Sequence, residues 1–373
     1  MKSVCRKIRL VFFSALVSTN VFSQNDMSSF LKVGIDDGNK VLSAYATPIF
    51  KTFGAGINAG WFNTAKVHGL GGFSLTICPN VILVPSTDKT FDVSTLGMSN
   101  NTRVINGKNS STTFFGSNSN SNNPELGSFI RYPGAATDSM LASFKLPQGI
   151  GVSIFMIPTA QLAVGVGLGT EVSIRYMPQI KTNDISAGII GFGIKHDIKQ
   201  WIPGIKLMPF DLSVMAAFTR LDASVQLTAL KADQPTSNID NPNPNKTYLQ
   251  STNFVSSAYT VNVLLSKKLS IFTPYLGLGF QSATTEFALK GEYPITDINT
   301  NYNPLDPLSK PKVVRELKDP ISLTSTFSDL RATAGFRFKL ALFTFHADYT
   351  LAKYPVASIG IGLHIQSLAP PKL

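Results

Sequence analysis

Apolar residues alternate with small or polar residues along positions 161–176, QLAVGVGLGTEVSIRY, without a break for sixteen positions. Because successive side chains of a β-strand point to opposite sides, this pattern predicts a strand with one apolar face and one small or charged face. Strands of soluble proteins usually have about 5–6 residues. A run of this length therefore favours a strand that crosses a bilayer, with its second face towards a wet lumen.

The same alternation recurs at 210–219, 330–340, 343–351 and 357–366. Several successive charged positions on one face would be unfavourable in the dry core of a sandwich, but they suit a barrel with a polar interior. We therefore predict that the candidate binding residues face the lumen: Glu171, Arg175, Arg331, Arg337, Lys339, His346 and Asp348. The apolar face is predicted to point outward and includes Leu168, Val172, Phe336, Phe338, Ile361 and Leu363.

The N-terminus has the features of a secretory signal peptide. Four basic residues precede the mostly apolar stretch 10–22, and small residues at 21–23 suit a signal peptidase, so we expect 1–23 to be removed. The apolar stretch is only about half of the ~20 residues that a spanning helix needs. No later run is long enough either, so the chain is expected to cross a membrane only as a closed barrel. The predicted location is the outer membrane of a Gram-negative bacterium.

The predicted fold is all-β: a closed antiparallel transmembrane β-barrel of about 12–14 strands with an N-terminal helical plug. Segment 24–52 is expected to be helical and to pack inside or against the barrel through Leu31, Val33, Leu42, Tyr45 and Ile49. Strands are predicted near 54–64, 67–78, 150–157, 161–177, 185–196, 208–220, 253–266, 270–287, 328–340, 342–352 and 355–367. Since bacterial barrels have an even number of strands, we expect at least one more strand, in 79–95 or 100–116.

The barrel domain is predicted to cover 53–373, with long extracellular loops at 79–149, 221–252 and 288–327. These segments are rich in Asn, Ser, Pro and Asp, as is typical of loops. Short connections are expected near 65, 158–160, 267–269 and 341. Aromatic residues near strand ends, among them Trp61 and Trp201, are interpreted as girdles at the two membrane interfaces.

The formal net charge of the chain is +11, and removing the four cations of the signal peptide leaves 11 − 4 = +7. The cations are scattered, so we predict no nucleic-acid partner. They suit lipopolysaccharide head groups and anionic or amphiphilic solutes instead. The mature chain keeps one cysteine, Cys78, so no intramolecular disulfide is expected.

Candidate catalytic and cofactor motifs are weak in this sequence. Gly165, Gly167 and Gly169 do not have the spacing of a phosphate-binding loop, and no helix follows them. The four histidines do not pair at metal-ligand spacing, so we predict no metal and no cofactor. His346 beside Asp348 could orient an imidazole, but the chain lacks a GxSxG motif, and the favoured interpretation is that it is not an enzyme.

The inward charges, among them Glu171, Arg175, Arg331 and Asp348, could form a ladder of ion pairs along the inner wall.

Three segments carry a resemblance to a family: GINAGWFNTAKVHGLGGFSLT at 56–76, GTEVSIRYMPQI at 169–180 and GFGIKHDIKQWIPG at 191–204. They resemble an uncharacterised family of outer-membrane β-barrel proteins of the Bacteroidota. The layout is also distantly similar to the long-chain fatty-acid transporter (FadL) barrels. That resemblance implies uptake of hydrophobic molecules through a plugged lumen and a lateral opening.

Three functional hypotheses remain open at this point. The first is a passive outer-membrane channel or transporter for hydrophobic or amphiphilic small molecules, with the N-terminal segment as plug. The second is a non-transporting barrel that acts as a structural or assembly partner of a secretion or surface-protein complex. The third is a barrel hydrolase.

Overall fold

The computed structural model describes residues 30–131, 136–181, 184–232, 234–303 and 305–367. The predicted signal peptide and the first residues of segment 24–52 lie outside this part of the chain. A 3₁₀ turn at Phe30–Val33 leads into one α-helix, α1, at Ile35–Asn58. The strands are β1 Phe73–Leu83, β2 Thr90–Asp92, β3 Thr102–Val104, β4 Ser110–Thr112, β5 Glu125–Ile130, β6 Ser139–Lys145, β7 Ile154–Gly167, β8 Thr170–Lys181, β9 Ile185–Asp197, β10 Asp211–Lys231, β11 Ile239–Asp240, β12 Thr247–Ser266, β13 Phe272–Ile298, β14 Lys312–Lys318, β15 Ile321–Leu340, β16 Phe343–Leu351 and β17 Val356–Ile365.

Ten of these strands form a closed antiparallel ring. Their order is β1-β7-β8-β9-β10-β12-β13-β15-β16-β17, and β17 pairs again with β1. The strands β14 and β11 extend the sheet from the far end of β13, so the sheet has twelve strands in all. The predicted fold class, a closed antiparallel transmembrane barrel with an N-terminal helix, is confirmed. The sheet has the twelve strands that lie within the predicted range of 12–14, whereas the closed ring has ten, an even number as expected, because β14 and β11 lie outside it.

The two faces of the wall differ as the alternation predicts. Among the outward residues, Val172, Phe336, Phe338, Ile361 and Leu363 are 37–55% exposed. Among the inward residues, Glu171, Arg175, Arg331, Arg337 and His346 are 1–7% exposed. The apolar side chains thus cover the outside of the barrel and the polar ones lie within it. No helix in the described part of the chain is long and apolar enough to cross a membrane.

The segment predicted as a single strand at 161–177 is a hairpin. The chain reverses at Leu168 and Gly169, which both have positive φ, and β7 then pairs with β8. A register shift between Gly165 and Gly167 inserts one extra residue beside the turn. This bulge keeps odd-numbered residues on the inner face of both strands, so the alternation appears unbroken across the reversal. Leu168, predicted to point outward from a strand, lies in the turn and is exposed.

The predicted strand at 54–64 is wrong, because α1 continues to Asn58. Two glycines on this last part of the helix allow its close approach to the wall. A Cβ at Gly54 would lie 2.4 Å from the Phe327 ring, and one at Gly56 would lie 2.7 Å from Ile82 and Ile157 side-chain atoms. The alternating small residues therefore reflect helix-to-wall packing rather than a strand.

Two other strand predictions also need correction. Segment 150–157 is not a separate strand, since β7 starts at Ile154 and runs through the expected turn at 158–160. The additional strand expected in 79–95 or 100–116 is not part of the ring. Instead, β1 ends at Leu83, and the following segment forms two small sheets, β2-β4 and β3-β5-β6.

The connections fall at two ends of the barrel, which we call the turn end and the loop end. The turn end has the connections 168–169, 198–210, 267–271 and 341–342, and the start of β1 and the end of β17 also lie there. The loop end has the connections 84–153, 182–184, 232–246, 299–320 and 352–355. The loops predicted at 221–252 and 288–327 are shorter than expected, because β10, β12, β13 and β15 extend into them.

Candidate site in the barrel interior

The helix α1 occupies the interior of the ring. It contacts β1, β7, β10, β12, β13 and β15, which lie on different sides of the barrel. The five side chains expected to make its apolar contacts, Leu31, Val33, Leu42, Tyr45 and Ile49, are all buried. Because a helix surrounded by strands can bury its whole circumference, nearly every turn of α1 contributes to the core.

The interior near the loop end is lined with phenylalanines. Phe53 of the helix packs against Phe254 of β12 and Phe155 of β7, with ring centroids 4.7 Å and 5.0 Å away. Phe50 lies 6.1 Å from Phe254 and 6.3 Å from Phe287 of β13. These tilted ring contacts hold the helix to opposite walls and make this half of the interior apolar.

Two buried arginines bind the C-terminal end of α1 from opposite walls. Arg175 of β8 donates to the carbonyl oxygens of Ile57 and Ala59, at 2.8 Å and 2.9 Å. Arg331 of β15 donates to the carbonyl oxygen of Asn58, at 2.8 Å. The last carbonyls of a helix lack intrahelical partners and carry the negative end of its dipole, so guanidinium groups stabilise them.

The chain that follows the helix fills the turn-end half of the lumen. The ring of Trp61 lies 4.0 Å from the guanidinium carbon of Arg175. A Cβ added to Gly193 of β9 would come within 3.0 Å of this ring, so the glycine leaves the space that the ring occupies. Gly277 of β13 leaves space for the Phe62 ring in the same way. The inward glycines therefore accommodate segment 59–72.

A polar cluster lies below this segment at the turn end. Glu171 accepts from Lys195, its register partner on β9, at 3.0 Å, and its other oxygen lies 2.5 Å from Nδ1 of His68. The Nε2 atom of His68 is 3.0 Å from Nδ1 of His364 on β17. All four side chains are buried. They link segment 59–72 to β8, β9 and β17 at this end of the barrel.

Asp37, in the first turn of α1, binds the helix to the long connection 84–153. Its carboxylate accepts from the backbone N–H of Ser99 at 3.0 Å and from the Thr102 hydroxyl at 2.6 Å. Burial acts to raise the pKa of Asp37, but the hydrogen bonds from Ser99 and Thr102 outweigh it and hold the pKa below its ordinary value. The carboxylate also faces the positive N-terminal end of the helix dipole.

A second carboxylate of the same connection, Asp88, makes a similar link. It accepts from Lys51 of α1 at 2.9 Å and from the Tyr354 hydroxyl at 2.5 Å, so one side chain joins the helix to the β16–β17 connection. Burial would raise the pKa of Asp88, yet these two donors lower it. The first turn of α1 and its Lys51 are thus held by carboxylates of this connection, while Phe50 and Phe53, on either side of Lys51, pack against phenylalanines of the wall.

Part of the barrel wall is unpaired between β7 and β8. The two strands pair in six registered positions, from Gly167–Thr170 at the turn to Gln161–Arg175. Beyond that point, no pairing joins 154–160 to 176–181, although both segments are described and each pairs with its other neighbour. We call this unpaired part of the wall the β7–β8 seam.

Prolines explain why the ladder stops there. Pro158 on β7 and Pro178 on β8 lack an N–H group and cannot donate to a neighbouring strand. On β8 the register with β9 also shifts between Met177 and Ile180, which bends the strand. Behind the seam lie apolar side chains of the interior: Phe155 and Met177 pack against the buried core that includes Ile157 and Ile189.

The sequence of the whole barrel matches one family. A family of unknown function, DUF6588, matches residues 1–365. The chain belongs to DUF6588. No curated protein sequence matches this DUF6588 member.

Several solved structures are similar to this DUF6588 barrel, at low sequence identity. The attachment invasion locus protein Ail of Yersinia pestis is 10% identical, with 79% of this chain and 97% of that chain covered and a TM-score of 0.24. The translocator domain of the autotransporter NalP from Neisseria meningitidis is 12% identical, with coverages of 88% and 98% and a TM-score of 0.29. The outer membrane protease OmpT from Escherichia coli is 8% identical, with coverages of 79% and 96% and a TM-score of 0.24. Scores this low assign no function.

The structure places the seven predicted lumen residues inside the barrel but does not join them in a ladder. Among the described residues, no carboxylate lies within ion-pair distance of Arg175, Arg331 or Arg337. The arginines bind backbone carbonyls or, for Arg337, the Asn63 side chain at 3.1 Å. The predicted ion-pair ladder is therefore wrong, because the helix end and segment 59–72 supply the acceptors instead.

The remaining predicted residues have separate partners. Asp348 accepts from the Tyr275 hydroxyl at 2.8 Å, and His346 lies opposite Arg337 in register on β16. Lys339 is only partly buried, near the turn end. No cluster of three or more His, Cys, Asp or Glu side chains in the described part of the chain could hold a metal.

Sequence reasoning missed three residues of the interior. Lys195 lies on the inner face of β9 and could have been found from the alternation of Phe192 and Ile194 around it. His68 and Trp61 lie on the irregular segment 59–72, where no periodicity indicates direction. Trp61 was interpreted as an interface residue, but it is buried inside the barrel.

Proposed function

We propose that the protein is an outer-membrane barrel that transfers hydrophobic or amphiphilic small molecules between the bilayer and its apolar interior. The β7–β8 seam carries this proposal. Along the seam the wall lacks a hydrogen-bonded ladder between β7 and β8, and the seam borders the phenylalanine-lined half of the interior. A hydrophobic solute could enter there from the lipid without crossing the polar side chains at the turn end.

The surroundings of the seam support this direction of entry. Tyr176 and Ile190 are exposed on the outer wall beside it, so an apolar solute in the bilayer meets an apolar surface up to the opening. The helix α1 fills the interior behind the seam and acts as the plug in this proposal. Passage to the other end requires segment 59–72 to move, because it lies between the apolar half and the turn end.

The experiment is to bridge the seam. Continuing the register of β7 and β8 would place residue 160 opposite residue 176, so the variant Ala160→Cys/Tyr176→Cys, in a Cys78→Ala background, can be linked with a short bis-maleimide. We expect the linked protein in vesicles to take up a hydrophobic fluorescent probe much more slowly than the unlinked one. The matched control is Leu162→Cys/Ile174→Cys, a pair already in register, whose linkage should leave uptake unchanged. Equal uptake by linked and unlinked Ala160→Cys/Tyr176→Cys protein would contradict the proposal.

A further inference from the structure

The connection between β9 and β10, at 198–210, is unusual for the turn end. The hairpin turns there at 168–169 and 341–342 are tight, whereas this connection forms two 3₁₀ turns, at Lys199–Trp201 and Ile205–Leu207. Its large apolar side chains are not buried: Trp201 is 68% exposed and Leu207 is 92% exposed. A segment with this much exposed apolar surface needs a partner that covers it.

The exposed apolar surface is continuous with the outer wall of the barrel. Gln200 donates to the carbonyl oxygen of Leu168 at 3.4 Å, so the connection lies beside the β7–β8 turn, where Leu168 is itself exposed. On β9, the outward residues Phe192 and Ile194 lead down to the same place. The bilayer that covers the outer wall therefore also reaches connection 198–210.

The connecting segments at this end carry charges of one sign. Segments 59–72, 168–169, 198–210, 267–271 and 341–342 contain five lysines and no carboxylate: Lys66, Lys199, Lys206, Lys267 and Lys268. Asp197 and Asp211 flank the β9–β10 connection, but they are the last and first residues of the strands. Lysines that border an apolar belt place their ammonium groups at the level of lipid phosphates.

We propose that connection 198–210 is an interfacial anchor that binds anionic phospholipids. Trp201, Leu207 and Met208 lie at the boundary between acyl chains and head groups, and Lys206 contacts the phosphates. Lys199 is held by the carbonyl oxygens of Met208 and Phe210, which keeps the connection folded against the barrel. This inference goes beyond the proposed function, because the anchor would operate whether or not the barrel transports a solute.

The two tryptophans of the chain make a direct test possible, since Trp61 is buried inside the barrel and Trp201 is exposed. The Trp61→Phe variant in lipid vesicles reports on Trp201 alone. Lipids brominated near the head-group end of the acyl chains should lower its fluorescence at least roughly twofold, and lipids brominated near the chain end should lower it less, as expected for an interfacial residue. Quenching by aqueous iodide without quenching by brominated lipid would overturn the proposal and would indicate a surface for a soluble protein.

Two further variants complete the test. Should Trp61→Phe not fold, the wild-type protein is compared with Trp201→Phe, which must lose the quenching by brominated lipid. Lipid selectivity is measured as the ratio of quenching by brominated phosphatidylglycerol to that by brominated phosphatidylcholine. Lys206→Gln should lower the preference for the anionic lipid by about fivefold, the effect of one lysine near an anionic surface. The matched control, Lys181→Gln at the loop end, should leave it unchanged, and equal ratios in all three proteins would contradict the role of lysine.

Discussion

The two halves of the barrel interior are filled by different kinds of side chain. Near the loop end, the inward positions of the wall are phenylalanines and aliphatic residues that pack against α1. Near the turn end, the inward positions of β8, β9, β15 and β17 include arginine, lysine, glutamate and histidine, and an irregular segment of chain supplies their partners. On the other side of this half, Met215, Leu264 and Tyr275 pack around Trp61 and Phe62 of the same segment. The boundary between the halves is the C-terminal end of the helix, where Arg175 and Arg331 bind its carbonyls.

This difference indicates a division of roles along one lumen. The apolar half has the seam in its wall, so it is the half that lipid-soluble molecules can reach in our proposal. The polar half is bounded by paired strands and by contacts between segment 59–72 and the wall. Removing apolar contacts should therefore destabilise the apolar half most. Removing hydrogen-bond donors should destabilise the polar half most.

The largest effect is expected from Phe50→Ala in the apolar half. Phe50 is 2% exposed and contacts Phe254 and Phe287, so its truncation leaves a cavity between the helix and two strands. We expect the free energy of unfolding to fall by about 3–5 kcal/mol. Urea denaturation in lipid vesicles, followed by circular dichroism, measures it. Leu249→Ala, at an exposed position of β12, is the control, and equal losses in both variants would show that the helix does not pack here as described.

A smaller effect is expected from Arg331→Met at the boundary between the halves. The substitution removes the donor to the Asn58 carbonyl and leaves that oxygen unsatisfied in a buried place, which costs about 1–3 kcal/mol. The control is Arg220→Met, because Arg220 is exposed and pairs only with Asp222 on its own strand. Protease cleavage within α1 should increase in Arg331→Met alone, and an unchanged cleavage pattern would argue against the arginine contact.

The smallest effect concerns pH at the loop end. The pKa values of Asp37 and Asp88 are lowered in the folded protein, so their contribution to stability is present above the unfolded value of about 3.9 and is lost as pH falls below it. Hydrogen exchange in α1, both in its first turn at Asp37 and around Lys51, should therefore accelerate between neutral and strongly acidic pH, beyond the intrinsic change. Asp88→Asn should weaken this dependence at Lys51 and leave it intact near Ser99. The same profile in both proteins would exclude Asp88 as its source.

The alternation of residues predicted the wall of the barrel well, because inside and outside differ in polarity at every second position. It correctly predicted that Arg175, Arg331 and Arg337 point inward and that Phe336, Phe338 and Ile361 point outward. It missed the hairpin at Leu168 because a bulge restores the parity of the pattern. It misassigned 54–64 because small residues that alternate suit either a strand or the close packing of a helix.

The partners of the lumen residues could not be predicted in the same way. The acceptors of Arg175 and Arg331 are backbone carbonyls, which no side-chain pattern reveals, and His68 lies on a segment without periodicity. Pairing between strands is also invisible to a single-strand pattern, so the β7–β8 seam became evident only from the register. The chain's membership of DUF6588 identifies its family, whereas the FadL resemblance and a Bacteroidota origin stay predictions.

The most direct test of the central claim, that the apolar half of the interior communicates with the bilayer through the seam, is photolabelling from the lipid phase. A hydrophobic diazirine probe is dissolved in vesicles that contain the protein, activated by light, and located by mass spectrometry. We expect labels on inward side chains behind the seam, namely Phe53, Phe155 and Met177, and none on His68 or Glu171. Labels confined to outward residues such as Leu278 and Ile361 would contradict it.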